Sequence, residues 1–124
     1  MRKKVYVKDV YNYFGYRRIF GSSSYHSGID ISCAYGTSIK AADGGRVTFS
    51  GYKGAYGNCV IITHDNGQQT YYGHCSSLLV SAGTSVYKGQ VIARVGSTGR
   101  STGNHCHFEV RVGGAAVNPL NYLR

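Results

Sequence analysis

Apolar and polar positions along the chain change over in short runs, not in helical stripes. Runs rich in Val, Ile, Thr and Tyr occupy Ile29 to Ser32, Gly45 to Ser50, Cys59 to His64, Gln69 to His74, Val91 to Val95 and His105 to Val112, and each reads as a strand. Turn signals separate them. Asp43-Gly44-Gly45, Asp65-Asn66-Gly67 and Gly113-Gly114 supply residues suited to hairpin turns, and Asn66-Gly67 between two β-rich runs is the strongest hairpin signal. No segment longer than two helical turns carries an apolar stripe, and nothing repeats at a longer period. The pattern predicts an all-β domain, an antiparallel sheet of the sandwich or barrel kind with little helix. Residues 1–12 are charged and Tyr-rich without a period and read as an N-terminal extension, either outside the domain or part of it, with the domain proper over 13–124. Tyr13-Phe14-Gly15-Tyr16-Arg17-Arg18 then opens a Gly- and Ser-rich stretch that reads as loop.

At 124 residues and 42% hydrophobic content, the chain can bury one core and has no length for a second domain. Eighteen Gly, twelve Tyr and a single Pro agree with strands joined by tight turns. No apolar run approaches the roughly 20 residues that span a bilayer. The basic start Met1-Arg2-Lys3-Lys4 leads into a polar segment, so the sequence shows neither a membrane helix nor a signal peptide. Either the protein stays inside the cell or its export signal lies outside this chain. Fourteen Lys and Arg against five Asp and Glu leave a formal charge of +9, a field that concentrates nucleic acid, anionic lipid or acidic wall polymers. The basic residues are scattered apart from Arg2 to Lys4 and Arg17-Arg18, with neither a recognition-helix pattern nor an aromatic-basic RNA motif, so specific nucleic-acid binding is not expected.

The five His residues change the picture, because four of them fall in small constellations: His26-Ser27-Gly28-Ile29-Asp30, Tyr71-Tyr72-Gly73-His74 and His105-Cys106-His107. In a strand, the period of two puts His105 and His107 on one face and sends Cys106 and Phe108 to the other. His26, Gly28 and Asp30 share a face if extended, with Gly28 leaving room for an ion and its water. Zinc accepts two His nitrogens and one carboxylate oxygen and keeps a fourth position for water when the site is catalytic. Each fragment has a plainer reading. A lone His-x-His is a weak signal, and His26 with Asp30 would pass for a surface pair in a Ser-rich loop. Their joint occurrence favours the site. The remaining carboxylates, Asp9, Asp43, Asp65 and Glu109, are expected in turns, at the chain start or on the strand face opposite His107.

In order and spacing, the residues from about Tyr13 to Leu123 form a recognisable series. It runs through Phe14-Gly-Tyr-Arg, His26-x-Gly-x-Asp30, Ala41-Ala-Asp-Gly-Gly-Arg-Val, His64-x-Asn-Gly, Tyr72-Gly-His74, Lys88-Gly-Gln-Val-Ile, Gly96-Ser-Thr-Gly, His105-x-His107-Phe-Glu and Asn118-Pro. The chain resembles the lysostaphin-type, or LytM-type, zinc metallopeptidases. That resemblance implies an antiparallel β fold with a groove over the metal, one Zn2+ held by His26, Asp30 and His107, and two further histidines, His74 and His105, beside the metal's water. It implies hydrolysis of amide bonds in the stem peptides or cross-bridges of bacterial peptidoglycan. It also implies an extracellular or wall-associated place of action, by a bacterial or phage-encoded monomer. Neutral imidazoles suit both proton removal and protonation of the leaving amine near pH 7. No His-Glu-x-x-His helix is present, so the glutamate base of that other zinc-peptidase class is missing. The alternative is a catalytically inactive relative that binds the wall or activates another hydrolase; such relatives usually lose metal ligands, and all five implicated residues are present here.

Other positions take lesser roles. His64, at a strand end before Asp65-Asn66-Gly67, is expected to be structural, and Asn118-Pro119 to be a turn without catalytic function. Tyr72 shares strand parity with His74 and either lines the groove or packs. Cys75 and Cys106 stand where the resembling family has apolar residues. They are expected to point away from the metal, either joined by a disulfide across neighbouring strands or as two buried thiols filling Leu-sized space. Cys33 and Cys59 lie in separate β-type runs and are left unpaired. The net positive charge fits retention on anionic wall polymers.

Overall fold

The computed structural model describes residues 10–12, 15–19, 22–101 and 103–122; the extension before Val10, and Tyr13, Phe14 and Leu123 of the matched series, lie outside them. The described residues form twelve strands: β1 (Val10–Asn12), β2 (Gly15–Ile19), β3 (Ser22–His26), β4 (Ile29–Ser32), β5 (Ser38–Lys40), β6 (Gly45–Tyr52), β7 (Asn58–His64), β8 (Gln69–Leu78), β9 (Ser85–Val86), β10 (Val91–Val95), β11 (His105–Val112) and β12 (Ala115–Val117). The main sheet runs β1-β4-β11-β8-β7-β6-β9, with β12 on β11 and β10 joining β5 to β8, all antiparallel. Among the described residues the only helical pieces are 3-10 turns at Gly54–Tyr56 and Pro119–Asn121. No helix there is long and apolar enough to cross a membrane. The all-β antiparallel reading therefore holds.

All six sequence-predicted strands are present, three with the expected bounds at both ends, and β8 runs four residues past His74 to Leu78. The Asn66-Gly67 signal does mark the β7–β8 hairpin, closed by bonds from Gly67 N to His64 O and from His64 N to Gln68 O. One expectation needs correction. Gly15–Ile19 and Ser22–His26 are not loop: β2 and β3 pair as their own two-stranded sheet, in register from Gly15 opposite His26 to Ile19 opposite Ser22. Of the 1–12 segment, Val10 and Asn12 pair with Ile31 and Asp30 in the main sheet. Backbone pairing outweighs the weak strand preference of Ser and Gly here.

The core lies on one face of the main sheet, around Ile29, Val47, Val60, Ile62, Tyr72, Ile92, Val95 and Val110. Tyr72 packs within it at 2% exposure, which settles its two readings in favour of packing. Its hydroxyl belongs to a directional chain. Ala42 N–H donates to Tyr72 Oη, Tyr72 donates to Thr70, Thr70 donates to His64 Nε2, and His64 Nδ1–H donates to Gly44 O. His64 is thus a satisfied structural histidine, as its place before the turn suggested.

One irregularity places the site. β8 pairs with β11 only through Gly73, opposite His107, and from Cys75 onward it pairs with β10, Cys75 facing Val95. His74 sits at this fork with φ of 62°, the one non-glycine residue with positive φ among those described. The register against β7 shifts there too, from Tyr72 opposite Val60 to Cys75 opposite Asn58. The extra residue breaks simple parity, so that Tyr72 and Cys75 both face the core while His74 turns away from it.

Candidate metal centre

His26 ends β3, Asp30 lies in β4, and Ser27 and Gly28 form a bend between them, so the segment is not one extended run. The bend still brings His26 Nε2 to 3.3 Å from Asp30 Oδ2. β11 lies beside β4 with His107 directly opposite Asp30, and His107 Nδ1 is 2.8 Å from Asp30 Oδ1. One donor atom from each of His26, Asp30 and His107 falls within 4.8 Å of the others, and all three residues are buried. Two imidazoles and one carboxylate converging in this way fit a single tetrahedral Zn2+ with a position to spare.

His105, two residues before His107, puts its Nε2 3.5 Å from Asp30 Oδ1, and its ring lies 4.7 Å from that of His74. Both flanking rings are held from behind by backbone carbonyls. His74 Nδ1 is 2.7 Å from Thr98 O, and His105 Nδ1 is 2.9 Å from Gly103 O. A carbonyl only accepts, so each Nδ1 carries the proton and each neutral ring keeps Nε2 as its proton-accepting atom. Burial pushes the His74 pKa below its ordinary value, against a raising contribution from the Thr98 bond. His107 moves the other way: burial would lower it, but hydrogen bonds to Asp30 and Glu109, and their charges, bring it up to about 9 in the ion-free protein.

Two sequence expectations fail here for local reasons. Glu109 does not lie opposite His107. The period of two puts residues 107 and 109 on the same face, and Glu109 Oε1 accepts from His107 Nε2 at 2.8 Å. Gly28 does not make room for an ion: a Cβ there would lie 2.3 Å from Phe108 O and 2.8 Å from Glu109 Cγ, so the missing side chain lets β11 approach. Of the two readings of Cys75 and Cys106, the buried pair of free thiols holds: both are turned to the core, and the fork in β8 sets Cys75 opposite Val95 and not opposite Cys106. Tyr56 and Arg111 stood unmarked in the sequence, and Thr98 was marked only as part of Gly96-Ser-Thr-Gly, with no role. Tyr56 O–H donates to Glu109 at 2.6 Å, Arg111 Nε donates to it at 3.0 Å, and Thr98 holds His74.

Comparison with known proteins agrees with this geometry. The sequence model described as Peptidase family M23 matches residues 24–119. The DD-carboxypeptidase/endopeptidase Mpg of Neisseria meningitidis is 47% identical over 110 residues, 87% of this chain and 25% of that protein. Murein hydrolase activator NlpD of Escherichia coli is 42% identical over 106 residues, 84% of this chain and 28% of that one. The chain thus spans about a quarter of the length of these relatives. Among solved structures, the catalytic domain of the antimicrobial peptidase lysostaphin from Staphylococcus simulans superposes with a TM-score of 0.80 at 31% identity, covering 90% of this chain and 88% of that one. A zinc-containing peptidase from Vibrio cholerae gives 0.84 at 32% identity, over 94% and 38% of the two chains.

Proposed function

The chain belongs to peptidase family M23, and from that premise we propose that it is a zinc-dependent endopeptidase that hydrolyses peptide bonds in the stem peptides or cross-bridges of bacterial peptidoglycan. The observation that carries this reading is the convergence of His26, Asp30 and His107 beneath the paired rings of His74 and His105. The first three residues would hold Zn2+. When bound, that ion supplies Lewis acidity, acidifying water and polarising an amide carbonyl. The protein's own groups do the proton work. His74 and His105 turn Nε2 away from their carbonyl partners, so one would accept the proton released on attack and return it to the leaving amine, while the other helps to position the reacting groups. Burial keeps His74 neutral near pH 7, which suits it to accept.

The working domain in this proposal is 13–124 with the β1 residues of the 1–12 segment added to its sheet, acting as a monomer in the envelope or outside the cell. Its formal charge of +9 would hold it against anionic wall polymers. A second reading, a hydrolase activator without its own activity, is favoured by the likeness to NlpD. One experiment separates them: zinc per chain beside turbidity loss of purified cell walls for the parent, His107→Ala and His105→Ala. The peptidase reading expects about one zinc per chain and lysis in the parent, metal lost in His107→Ala, and metal kept but lysis lost in His105→Ala. A folded parent with neither zinc nor lysis would leave the activator reading standing.

A further inference from the structure

We infer that Glu109 is the positioning residue of the centre, fixing the ring orientation and tautomer of His107 so that Nδ1 is offered to the metal; this rests on the zinc reading above. Glu109 is fully buried, and a carboxylate in such a place is costly unless its oxygens are filled. They are filled from three parts of the chain. Oε1 accepts from Ser27 at 2.5 Å, from Tyr56 at 2.6 Å and from His107 Nε2 at 2.8 Å, while Oε2 accepts from Arg111 Nε at 3.0 Å and forms an ion pair with Arg111 Nη2 at 3.0 Å. Ser27 comes from the bend between β3 and β4, Tyr56 from the 3-10 turn before β7, and Arg111 from β11 itself. The hydroxyls and the guanidinium hold the carboxylate still. The remaining bond leads to the donor cluster.

The donor and acceptor rules decide what that bond does. A neutral imidazole has one N–H and one lone pair, and a nitrogen that binds a cation must be the one without the proton. Nδ1 of His107 faces Asp30 at 2.8 Å, inside the donor cluster, so its proton must sit on Nε2 when an ion is held. The Glu109 carboxylate only accepts, and therefore selects that tautomer; being anionic, it also makes the opposite nitrogen a stronger ligand. At His74 and His105 the groups facing Nδ1 are neutral carbonyls instead, Thr98 O and Gly103 O. Gly28 fits the same arrangement, because a Cβ there would drive into Glu109 Cγ and Phe108 O.

The test measures metal, not turnover. Zn2+ dissociation constants by chelator competition and the visible spectrum of the Co2+-loaded protein are compared for the parent, Glu109→Gln and Glu109→Ala. Affinity should fall roughly 10–100-fold, less in Gln, which keeps an acceptor for Nε2–H, than in Ala, and the cobalt bands should change in both. Parent-like affinity and spectrum in folded variants that merely melt earlier would reduce Glu109 to a brace and overturn the inference. A parent that binds no zinc overturns the metal reading itself and this inference with it. If neither variant folds, nitrogen NMR of the zinc-loaded, histidine-labelled parent decides: His107 protonated at Nε2 supports the assignment, and protonated at Nδ1 overturns it.

Discussion

Burial and hydrogen bonding drive two neighbouring imidazoles apart. His74 is depressed by burial and His107 is raised to about 9 by Asp30 and Glu109, although their ring centres are only 6.0 Å apart. The sign for His74 is direct: a lowered pKa keeps the ring neutral to more acid pH. If its Nε2 accepts the proton in the reaction, the acid limb of kcat for a soluble peptide substrate should lie below the ordinary histidine value of 6.5. A limb at or above that value would remove His74 from the accepting role. At this scale the sequence was informative where chemistry clusters. The four ligand-type residues His26, Asp30, His105 and His107 needed only spacing and strand parity to be grouped as a candidate site. Parity also determined the place of Glu109, two residues beyond His107, and the opposite expectation was an error of counting, not a gap in the signal. Thr98 and Tyr56 gave no such signal, because their partners are 24 and 53 residues away.

At the scale of elements, the fork in β8 depends on two loops clasped across it. The loop after Val95 meets the 3-10 turn at Gly54–Tyr56 so closely that a Cβ on Gly99 would lie 2.3 Å from Gly57 N. From this clasp Thr98 Oγ1 donates to Cys75 O at 2.6 Å and accepts from Asn58 N at 3.1 Å, while its carbonyl takes His74 Nδ1–H. Thr98→Val keeps the shape and removes the hydroxyl. It should cost about 1–3 kcal/mol in urea unfolding, for the partners left unmet, and lower kcat with zinc content unchanged. Full activity together with full stability would show the clasp to be dispensable. Long alternating strands were legible in the sequence because eight residues of β11 or seven of β7 carry a readable period. β5, β9 and β12 have two or three residues each, too few to show one, and β2 and β3 are held by each other's backbone rather than by side-chain preference. The fork was illegible for a further reason: it exists because β8 changes partners, and partners are not written locally.

For the molecule as a whole, the buried thiols set an alkaline limit. Burial raises Cys59 and Cys75 from 9.0 to about 12 and Cys106 well above its usual value. Groups with raised native pKa values stabilise fully below their unfolded values, and that stability is lost as pH climbs through the native ones. Tyr56, raised from 10.0 to about 12 by burial and Glu109, acts in the same direction. The urea midpoint should therefore fall steadily from about pH 9 to about pH 12, and iodoacetamide at pH 8 should leave Cys59, Cys75 and Cys106 unlabelled until the protein unfolds. A flat midpoint with labelled native thiols would contradict the packing.

The sheet order also governs when the centre can come into being. β11 is the eleventh strand in sequence, yet it occupies a middle slot between β4 and β8. A ribosome that has released everything up to β10 has already delivered His26, Asp30 and His74, but the slot is still open, and Asp30 lacks the neighbour that faces it across the rung. His105, His107 and Glu109 arrive together on the one strand that closes the gap. On the proposed reading, the centre is completed in a single late insertion, and what a half-made chain lacks is one whole strand rather than one residue.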